Sequence, residues 1–331
     1  MRAPDFWRRE GGFPGGLLAP LGWCYGLAGR IRFAFAQPVK PSVPLICVGN
    51  LVAGGAGKTP VALSLARRLI AQGRNIRFLS RGYGGRLPGP IRVDGKTHTA
   101  EDVGDEALLL ARVARTWVAR DRARGVIACT SDSEDAPPDV IIMDDGFQNP
   151  SVAKDLSLLV VDGGYGFGNG YVFPAGPLRE SVNSALARAD AVVLIGADNA
   201  GIRNNLGARG NRAPLLRARV RPGSEAGELK GKPVVAFAGI ANPEKFFQTL
   251  RDADCEIKAE HSFDDHYPFT QADLERLRAE AENLGAKLVT TEKDAARLSP
   301  EDLRDISILA ISLKWADETS LDAALSPLFS D

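Results

Sequence analysis

The sequence predicts an α/β fold: a mostly parallel sheet with helices on both faces, followed by a second, smaller α/β domain. Short β-type apolar runs recur along the chain, and most are continuous rather than alternating, which is typical of strands covered on both faces. Helical patterns lie between several of these runs, and such alternation indicates α/β layering. Strands are expected at Val43–Val48, Ile76–Leu79, Val126–Cys129, Val140–Met143, Ser157–Val161, Ala191–Ile195, Leu215–Val220, Val234–Ala238, Lys287–Thr290 and Ile306–Ile311. Helices are expected at Val61–Ala71, Glu106–Ala119, Pro243–Arg251 and Gln271–Leu284.

The chain divides into an apolar N-terminal segment and two domains. Its 331 residues suffice for two domains of ordinary size. Residues 197–232 interrupt the alternation of strands and helices, because they are polar and rich in glycine and arginine. We therefore expect a membrane-docking segment at 1–40, a large domain at 41–212, a linker at 213–232 and a smaller α/β domain at 233–331.

The N-terminal segment contains an uncharged stretch, residues 12–29, with arginines on both sides. The stretch is rich in glycine and proline and is short, since a spanning helix needs ~20 apolar residues. It lacks a clear small-residue cleavage site, which argues against a secretory signal. Two interpretations stay open: a core helix preceded by a loop, or a helix at a membrane surface with Trp23 and Tyr25 at the headgroups. The remaining sequence favours the membrane-associated helix.

The charge and cysteine content exclude two classes of function. Lysine plus arginine and aspartate plus glutamate each total 41, so the formal net charge is zero and no nucleic-acid partner is expected. No obligate protein partner is inferred. The cysteines are far apart and form no CxxC pair, which indicates a reducing compartment with neither disulfides nor zinc. They are Cys24, Cys47, Cys129 and Cys255.

The stretch VGNLVAGGAGKTP, residues 48–60, reads as a strand end, a glycine-rich turn and a helix start. In a P-loop the backbone N–H groups wrap the phosphates of a nucleotide, the lysine reaches the β- and γ-phosphates, and the hydroxyl ligates Mg²⁺. The strict pattern needs glycine where Val52 stands, so this motif is a variant, and its strand–helix context supports it. The expected nucleotide-binding residues of this P-loop NTPase-type domain are Gly54, Gly55, Ala56, Gly57, Lys58, Thr59 and Pro60.

A second acidic strand end accompanies the P-loop in DVIIMDDGFQ, residues 139–148. Four apolar residues lead to Asp144 and Asp145, where a parallel strand would open onto the ligand crevice. One of the two carboxylates would bind Mg²⁺, directly or through water. Guanine-specific switches carry Asn/Thr-Lys-x-Asp after a late strand, whereas Lys293 and Asp294 are adjacent here. The expected cofactors are therefore ATP and Mg²⁺.

Three further stretches offer residues for the acceptor of the phosphate. Asp105 and Glu106 stand at the start of a predicted helix, where carboxylates are favoured, and one of them could accept a hydroxyl proton. His266 follows a strand of the second domain and could orient a catalytic carboxylate. Arg179 and Arg81 lie in glycine-rich loops and could bind a substrate phosphate. Each of these signals is weak alone.

Taken together, these stretches resemble the tetraacyldisaccharide 4'-kinase family, the lipid A 4'-kinases. The resemblance covers most of the chain, in order from residue 49 to residue 295. The N-terminal apolar segment fits the family as well. The matching pieces are GNLVAGGAGKTP, SRGYGG, VGDEALLLA, DDGFQN, PAGPLRE, DHYPF and TTEKDA.

The resemblance implies ATP- and Mg²⁺-dependent phosphorylation of the 4'-hydroxyl of a lipid disaccharide 1-phosphate at the cytoplasmic face of the bacterial inner membrane. It also implies two domains that close on the nucleotide. By the same resemblance Asp105 is the general base, supported by His266, and Lys58 and Thr59 hold the phosphates and the metal. Asp144 and Asp145 form the acidic pair on the metal side, with Glu106 as a further metal-shell residue.

The sequence departs from the family pattern at Ala56, Asn149 and Ala107. None of these changes removes a residue with an expected chemical role, but Asn149 argues against any role that rests on a histidine at that position. Two other classes stay open: a P-loop switch ATPase, and a small-molecule kinase with a soluble acceptor. The switch class usually carries a second lysine early in the loop, where this chain has Val52 and Ala53.

Overall fold

A computed structural model describes residues 4–8, 13–132 and 136–329. The expected docking segment at 1–40 is therefore described except for residues 1–3 and 9–12. The described chain is mixed α/β, as the sequence predicts, and it forms two lobes. We call the lobe built on the larger sheet the large lobe and the other the small lobe.

Thirteen strands occur within the described residues, and they form two sheets. Nine belong to the large sheet in the order β13-β8-β7-β6-β1-β5-β2-β4-β3, and four form the small sheet in the order β10-β9-β11-β12. Only the edge pairs β3–β4 and β13–β8 are antiparallel among the described strand pairs. The strands are β1 Leu45–Asn50, β2 Ile76–Ser80, β3 Ile91–Arg92, β4 Thr116–Val118, β5 Val140–Asp144, β6 Leu156–Asp162, β7 Ala191–Ile195, β8 Leu215–Pro222, β9 Pro233–Ala238, β10 Glu256–Ser262, β11 Lys287–Thr291, β12 Ile306–Leu309 and β13 Ile311–Trp315.

Helices cover both faces of the sheets, and short 3₁₀ turns supplement them. The first helix is the apolar N-terminal one, and α2 follows the glycine-rich turn directly. The α-helices of the described residues are α1 Phe13–Ala34, α2 Lys58–Ala71, α3 Ala100–Val103, α4 Asp105–Ala111, α5 Arg122–Ser131, α6 Val182–Leu186, α7 Ile202–Ala208, α8 Glu225–Leu229, α9 Pro243–Asp252, α10 Gln271–Asn283, α11 Glu292–Ala295 and α12 Glu318–Leu325.

Three secondary-structure predictions were wrong. The helix expected at Glu106–Ala119 ends at Ala111, and strand β4 follows it. The strand expected at Val126–Cys129 lies inside α5, whose N-cap Asp121 accepts a hydrogen bond from the backbone of Arg124. Short apolar runs fit a buried helix turn as well as a strand, so periodicity alone cannot separate them. The run at Ile306–Ile311 is two strands, β12 and the start of β13, which join different sheets.

The large sheet is buried on both faces. Leu45, Cys47 and Ile141 pack on one face with α5 and α6, which we call the first face. Ile46 and Val48 alternate with them and pack on the second face against α2. The strands are continuously apolar because helices cover both faces of the sheet and bury both sets of alternating side chains. β1, the strand before the glycine-rich turn, is central and pairs with β5 and β6.

The C-terminal end of the chain returns to the large sheet. β13 pairs with β8, and its Trp315 donates a hydrogen bond from Nε1 to Oγ of Ser64 on α2 at 2.9 Å. Arg68 of α2 also holds Asp322 of α12 through two hydrogen bonds. The segment expected as a linker, 213–232, contains β8. Strand pairing thus continues beyond both expected boundaries, and the division into domains stays a prediction.

Helix α1 packs on the large lobe through glycines. Gly15 and Gly22 are buried, and a Cβ on Gly22 would lie 2.5 Å from the carbonyl oxygen of Val172. The helix therefore approaches the 169–175 loop at backbone distance. Within the described ranges, no helix is both long and apolar enough to cross a membrane.

Candidate active site

The glycine-rich turn lies at the carboxyl end of β1 and leads directly into α2. Gly54 and Gly57 have φ angles of 119° and 86°, which only glycine adopts readily. A Cβ on Gly57 would lie 2.5 Å from Cδ1 of Ile195. Pro60 falls in the first helical turn, where no backbone donor is lost. The turn therefore leaves open backbone N–H groups at a helix N-terminus, the geometry that binds phosphate.

The side chain of Asn50 stabilises the glycine-rich turn through hydrogen bonds to its backbone. Its Nδ2 donates to the carbonyl oxygens of Val52 at 2.9 Å and Gly54 at 3.3 Å. Its own carbonyl accepts a hydrogen bond from Nε2 of Gln148 at 2.9 Å, and Gln148 also contacts Glu180. Asn50 was not among the residues predicted from the sequence, although it stands at the carboxyl end of a strand, the signal that identified the acidic pair.

Asp144 ends β5, the neighbour of β1, and its carboxylate lies beside Thr59. Oγ1 of Thr59 donates to Oδ2 of Asp144 at 3.0 Å. Oδ1 of Asp144 is buried and accepts no hydrogen bond among the described residues. Burial and then the nearby carboxylates of Glu106 and Asp145 raise the pKa of Asp144 to about 7, against the opposing charge of Lys58. A buried carboxylate oxygen without a hydrogen-bond partner, beside a hydroxyl, suits the ligand set of a cation.

The donor set at this point suits Mg²⁺ of a nucleotide complex. Within the described parts of the chain, no group of three or more His, Cys, Asp or Glu side chains is placed to hold a metal ion alone. Mg²⁺ ordinarily keeps several waters and binds one or two carboxylates together with substrate phosphates. Thr59 and Asp144 are therefore the residues that would hold it here, and the phosphates would complete its shell.

Asp145 has a different environment from Asp144. Its Oδ1 lies 3.6 Å from Nζ of Lys58 and accepts a hydrogen bond from Nη1 of Arg179 at 2.8 Å. Burial would raise the pKa of Asp145, but the charges of Lys58 and Arg179 outweigh it and keep the pKa below its ordinary value. The φ angle of Asp145 is 51°, an uncommon value for a non-glycine residue that is often associated with functional sites. Arg179 is thus bound to the acidic pair, although the sequence suggested a substrate-phosphate role.

Asp105 and His266 meet across the two lobes. Asp105 is the first residue of α4 in the large lobe and is 2% exposed, and His266 belongs to the loop after β10 in the small lobe. Nδ1 of His266 lies 2.9 Å from Oδ2 of Asp105. Oδ2 accepts no hydrogen bond of regular geometry within the described residues. Such contacts in unliganded enzymes often become aligned only when the substrate binds.

Two cations that the sequence analysis did not assign surround this pair. Lys293, in α11, lies 3.3 Å from Nε2 of His266 and 3.6 Å from Oε1 of Glu106. Nε of Arg297 lies 3.4 Å from Oδ2 of Asp105. Burial would raise the pKa of Asp105, but the contact with His266 and the charges of Lys293 and Arg297 outweigh it and lower the pKa. Asp105 is therefore ionised at neutral pH.

A sequence signal for these cations existed. Both Lys293 and Arg297 follow the carboxyl end of β11, a parallel strand, where ligand crevices form. The guanidinium of Arg297 is fixed by the carbonyl oxygens of Tyr267 at 3.0 Å and Gly239 at 2.9 Å. Its position is therefore set before any substrate arrives.

The lobes also meet beside the glycine-rich turn. A Cβ on Gly55 would lie 3.4 Å from Cβ of Ala241 in the small lobe. Lys245 of α9 pairs with Asp162 at the carboxyl end of β6. Arg81 is exposed at the end of β2, and the ring of the nearby Tyr83 lies 5.3 Å from that of His266. The crevice between the lobes is thus bordered by the P-loop, the acidic strand end and the Asp105–His266 pair.

The fold and the site together define a P-loop phosphotransferase with a cleft between two lobes. The chain belongs to the tetraacyldisaccharide-1-P 4'-kinase family, whose signature it matches over residues 15–330. The family resemblance of the sequence motifs is therefore confirmed.

The sequence is similar to those of curated relatives over nearly the whole chain. The tetraacyldisaccharide 4'-kinase of Paramagnetospirillum magneticum is 56% identical over 330 residues, which is 99% of this chain and 98% of that protein. The enzyme of the same description from Rhodospirillum rubrum is 50% identical over 333 residues, again 99% and 98% of the two chains. The fold is similar to the crystal structure of LpxK from Aquifex aeolicus in complex with ATP, with a TM-score of 0.74, 25% identity and coverage of 96% of this chain and 99% of that chain.

Proposed function

We propose that this kinase transfers the γ-phosphate of ATP to the 4'-hydroxyl of a tetraacyl disaccharide 1-phosphate, a step of lipid A biosynthesis. The family and the relatives support the activity. The observation that carries the mechanism is the meeting of Asp105 and His266, from different lobes, at the border of the P-loop crevice. A sugar hydroxyl that enters this crevice would reach a carboxylate base on one side and the nucleotide on the other.

Asp105 would act as the general base in this mechanism. Its ionised carboxylate accepts the proton of the 4'-hydroxyl while the hydroxyl oxygen forms its bond to the γ-phosphorus and the bond to the ADP oxygen breaks. His266 orients the carboxylate through the 2.9 Å contact. Lys293 and Arg297 keep the carboxylate ionised in a buried position, where desolvation alone would favour the protonated form.

The P-loop residues would bind the nucleotide. Backbone N–H groups of Gly54, Gly55, Ala56 and Gly57 would face the phosphates, and Lys58 would exchange its contact with Asp145 for the β- and γ-phosphates. Thr59 and Asp144 would hold Mg²⁺, which would neutralise charge on the phosphates. Glu106 stays a proposed member of the metal shell, since its charge acts on Asp144.

The substrate 1-phosphate needs a cation outside the nucleotide site. Arg81 is exposed at the crevice edge and is available for this role. Arg179 would serve only if it left Asp145, with which it forms a 2.8 Å ion pair. Arg81 is therefore the stronger proposal for the substrate phosphate.

Release of ADP tests the proposed function. We expect release from ATP and Mg²⁺ to depend on added lipid disaccharide 1-phosphate, because the in-line reaction needs the acceptor hydroxyl. Mapping by NMR should place the new phosphate on the 4'-oxygen. Equal ADP release with and without the acceptor would contradict the proposal and would favour the switch ATPase class.

Helix α1 is proposed as the docking element at the cytoplasmic face of the inner membrane. Its glycine side contacts the protein, and an apolar stripe faces outward at spacings of three and four residues, one side of a helix. Leu17 is 71% exposed, and Phe35, which continues the helix through a hydrogen bond to the carbonyl of Ile31, is 82% exposed. An uncovered apolar stripe on a helix suits the boundary of headgroups and acyl chains. The stripe consists of Leu17, Leu21, Cys24, Ala28, Ile31 and Phe35.

Polar substitution of the stripe should weaken membrane binding. We expect L17S/L21S/F35S to lower binding to vesicles roughly tenfold or more, because three large side chains no longer enter the bilayer boundary. ATP affinity should stay unchanged. The matched control is I70S/I127S/L284S, which changes three exposed apolar side chains elsewhere and should bind vesicles normally. Equal vesicle binding of the two variants, measured by co-sedimentation, would refute docking through α1.

A further inference from the structure

An uncommon row of cations lies on the outer edge of the large sheet. Arg217, Arg219 and Arg221 alternate along β8, so their side chains lie on one face of the sheet. All three are exposed. Lys314 of the edge strand β13 is exposed as well and is directly opposite Arg219 in the antiparallel pair. We call these four residues the edge strip.

The edge strip is not neutralised by the protein. None of its four members has an ion-pair partner within the described residues. Like charges directly opposite each other, such as Arg219 and Lys314, destabilise a sheet. The chain as a whole has no net charge, so this concentration of cations is local. A surface with such a charge pattern is complementary to an anionic partner.

The edge strip lies on the side of the sheet that carries α1. Leu215, which shares its face of β8 with Arg217, packs against the core of the first face. Val172 packs against the same core, and its carbonyl is the contact of Gly22 in α1. The edge strip and α1 therefore lie on the same side of the large sheet.

We propose that the edge strip binds the phosphate headgroups of anionic lipids and orients the kinase on the membrane. This inference rests on the docking role proposed for α1 and adds a second, electrostatic contact to it. Guanidinium groups bind phosphate bidentately. Each basic residue near an anionic membrane surface strengthens binding about fivefold. With α1 and the edge strip both engaged, the lobe can no longer rotate about the helix, so the crevice keeps a constant orientation towards the bilayer.

Protection of the sheet edge is the competing explanation. Lysine and other charges on edge strands prevent pairing with another copy of the chain. That explanation predicts self-association when the charges are removed, whereas lipid binding predicts a loss that depends on the anionic lipid. The two can therefore be separated by measurement.

The test compares R217Q/R219Q/R221Q with the matched control R67Q/K287Q/R304Q, which removes three exposed cations elsewhere. Vesicles of phosphatidylcholine alone and of phosphatidylcholine mixed with phosphatidylglycerol are used for co-sedimentation. We expect the edge-strip variant to lose roughly tenfold or more of its binding to the anionic vesicles and none to the neutral vesicles. The control should lose little on either, and R217K/R219K/R221K should restore binding.

Several outcomes would overturn the inference. Equal losses for the edge-strip variant and the control would mean only a general charge effect. New oligomers of the edge-strip variant in light scattering, with unchanged vesicle binding, would assign the strip to edge protection. Tighter binding of a single-stranded RNA than of anionic vesicles by the unmodified kinase would assign it to another partner. Failure of α1 docking is distinguishable, because it would leave L17S/L21S/F35S with normal binding to neutral vesicles.

Discussion

Replacement of Asp105 by alanine should lower the rate of phosphate transfer by ~10²–10⁴-fold, the usual effect of removing a general base. ATP should still bind, because Asp105 belongs to the acceptor side of the crevice and makes its contacts with His266 and Arg297 rather than with the P-loop. Single-turnover measurement of phosphate transfer checks the lower rate, and calorimetry checks that ATP affinity is unchanged.

Controls for Asp105 need to separate chemistry from folding. Removal of the carboxylate takes one buried anion from Lys293 and Arg297, which keep Glu106 and Asp294 as partners, so thermal unfolding of the variant has to be recorded. Asp102→Asn is the matched control, since Asp102 is a buried carboxylate nearby that pairs with Arg86 at 2.7 Å. It should retain most of the activity. Near-normal turnover of the Asp105→Ala variant would refute the base assignment.

Replacement of Lys58 by alanine should also have a large effect, on the order of 10²–10³ in rate, similar to the loss of one preorganised donor to a developing charge. Lys58 is 8% exposed at the start of α2, and its ammonium lies 3.6 Å from Asp145. The ammonium is therefore held, largely out of water, beside the acidic strand end. Without it, the phosphates would face the acidic pair without the cation of the P-loop.

The two variants should differ in a way that one experiment can show. Lys58→Ala should weaken ATP binding, whereas Asp105→Ala should not. Lys58→Arg keeps the charge but alters the shape of the donor, so it should recover part of the ATP affinity. If Lys58→Ala binds ATP as tightly as the unmodified kinase, the phosphate-binding role of this lysine is wrong.

Much of the large lobe could be predicted from the sequence because its signals are local. A glycine-rich turn between a strand and a helix needs positive φ angles at Gly54 and Gly57, and those angles are present. Continuous apolar runs correctly predicted the central strands β1, β5, β6 and β7. The errors fell on short elements, such as α5 and β4, where a few apolar residues fit either state.

The acceptor side could be predicted only through the family resemblance. Asp105 and His266 lie far apart in the chain and on different lobes, and no local pattern indicates that they touch. Lys293 and Arg297 were not assigned at all, although the small lobe brings both to the same carboxylate. Their contact depends on how the lobes pack, which is a long-range property.

The sequence by itself determined the class of this protein, since a P-loop and an acidic strand end are set by backbone geometry within a few residues. The tertiary structure decided which charges meet. It joined Arg179 to Asp145, surrounded Asp105 with three partners, and brought α1 and the edge strip to one side of the sheet. The physical reason is that burial and charge pairing depend on distances in space, and those distances exist only once the sheet and the two lobes have packed.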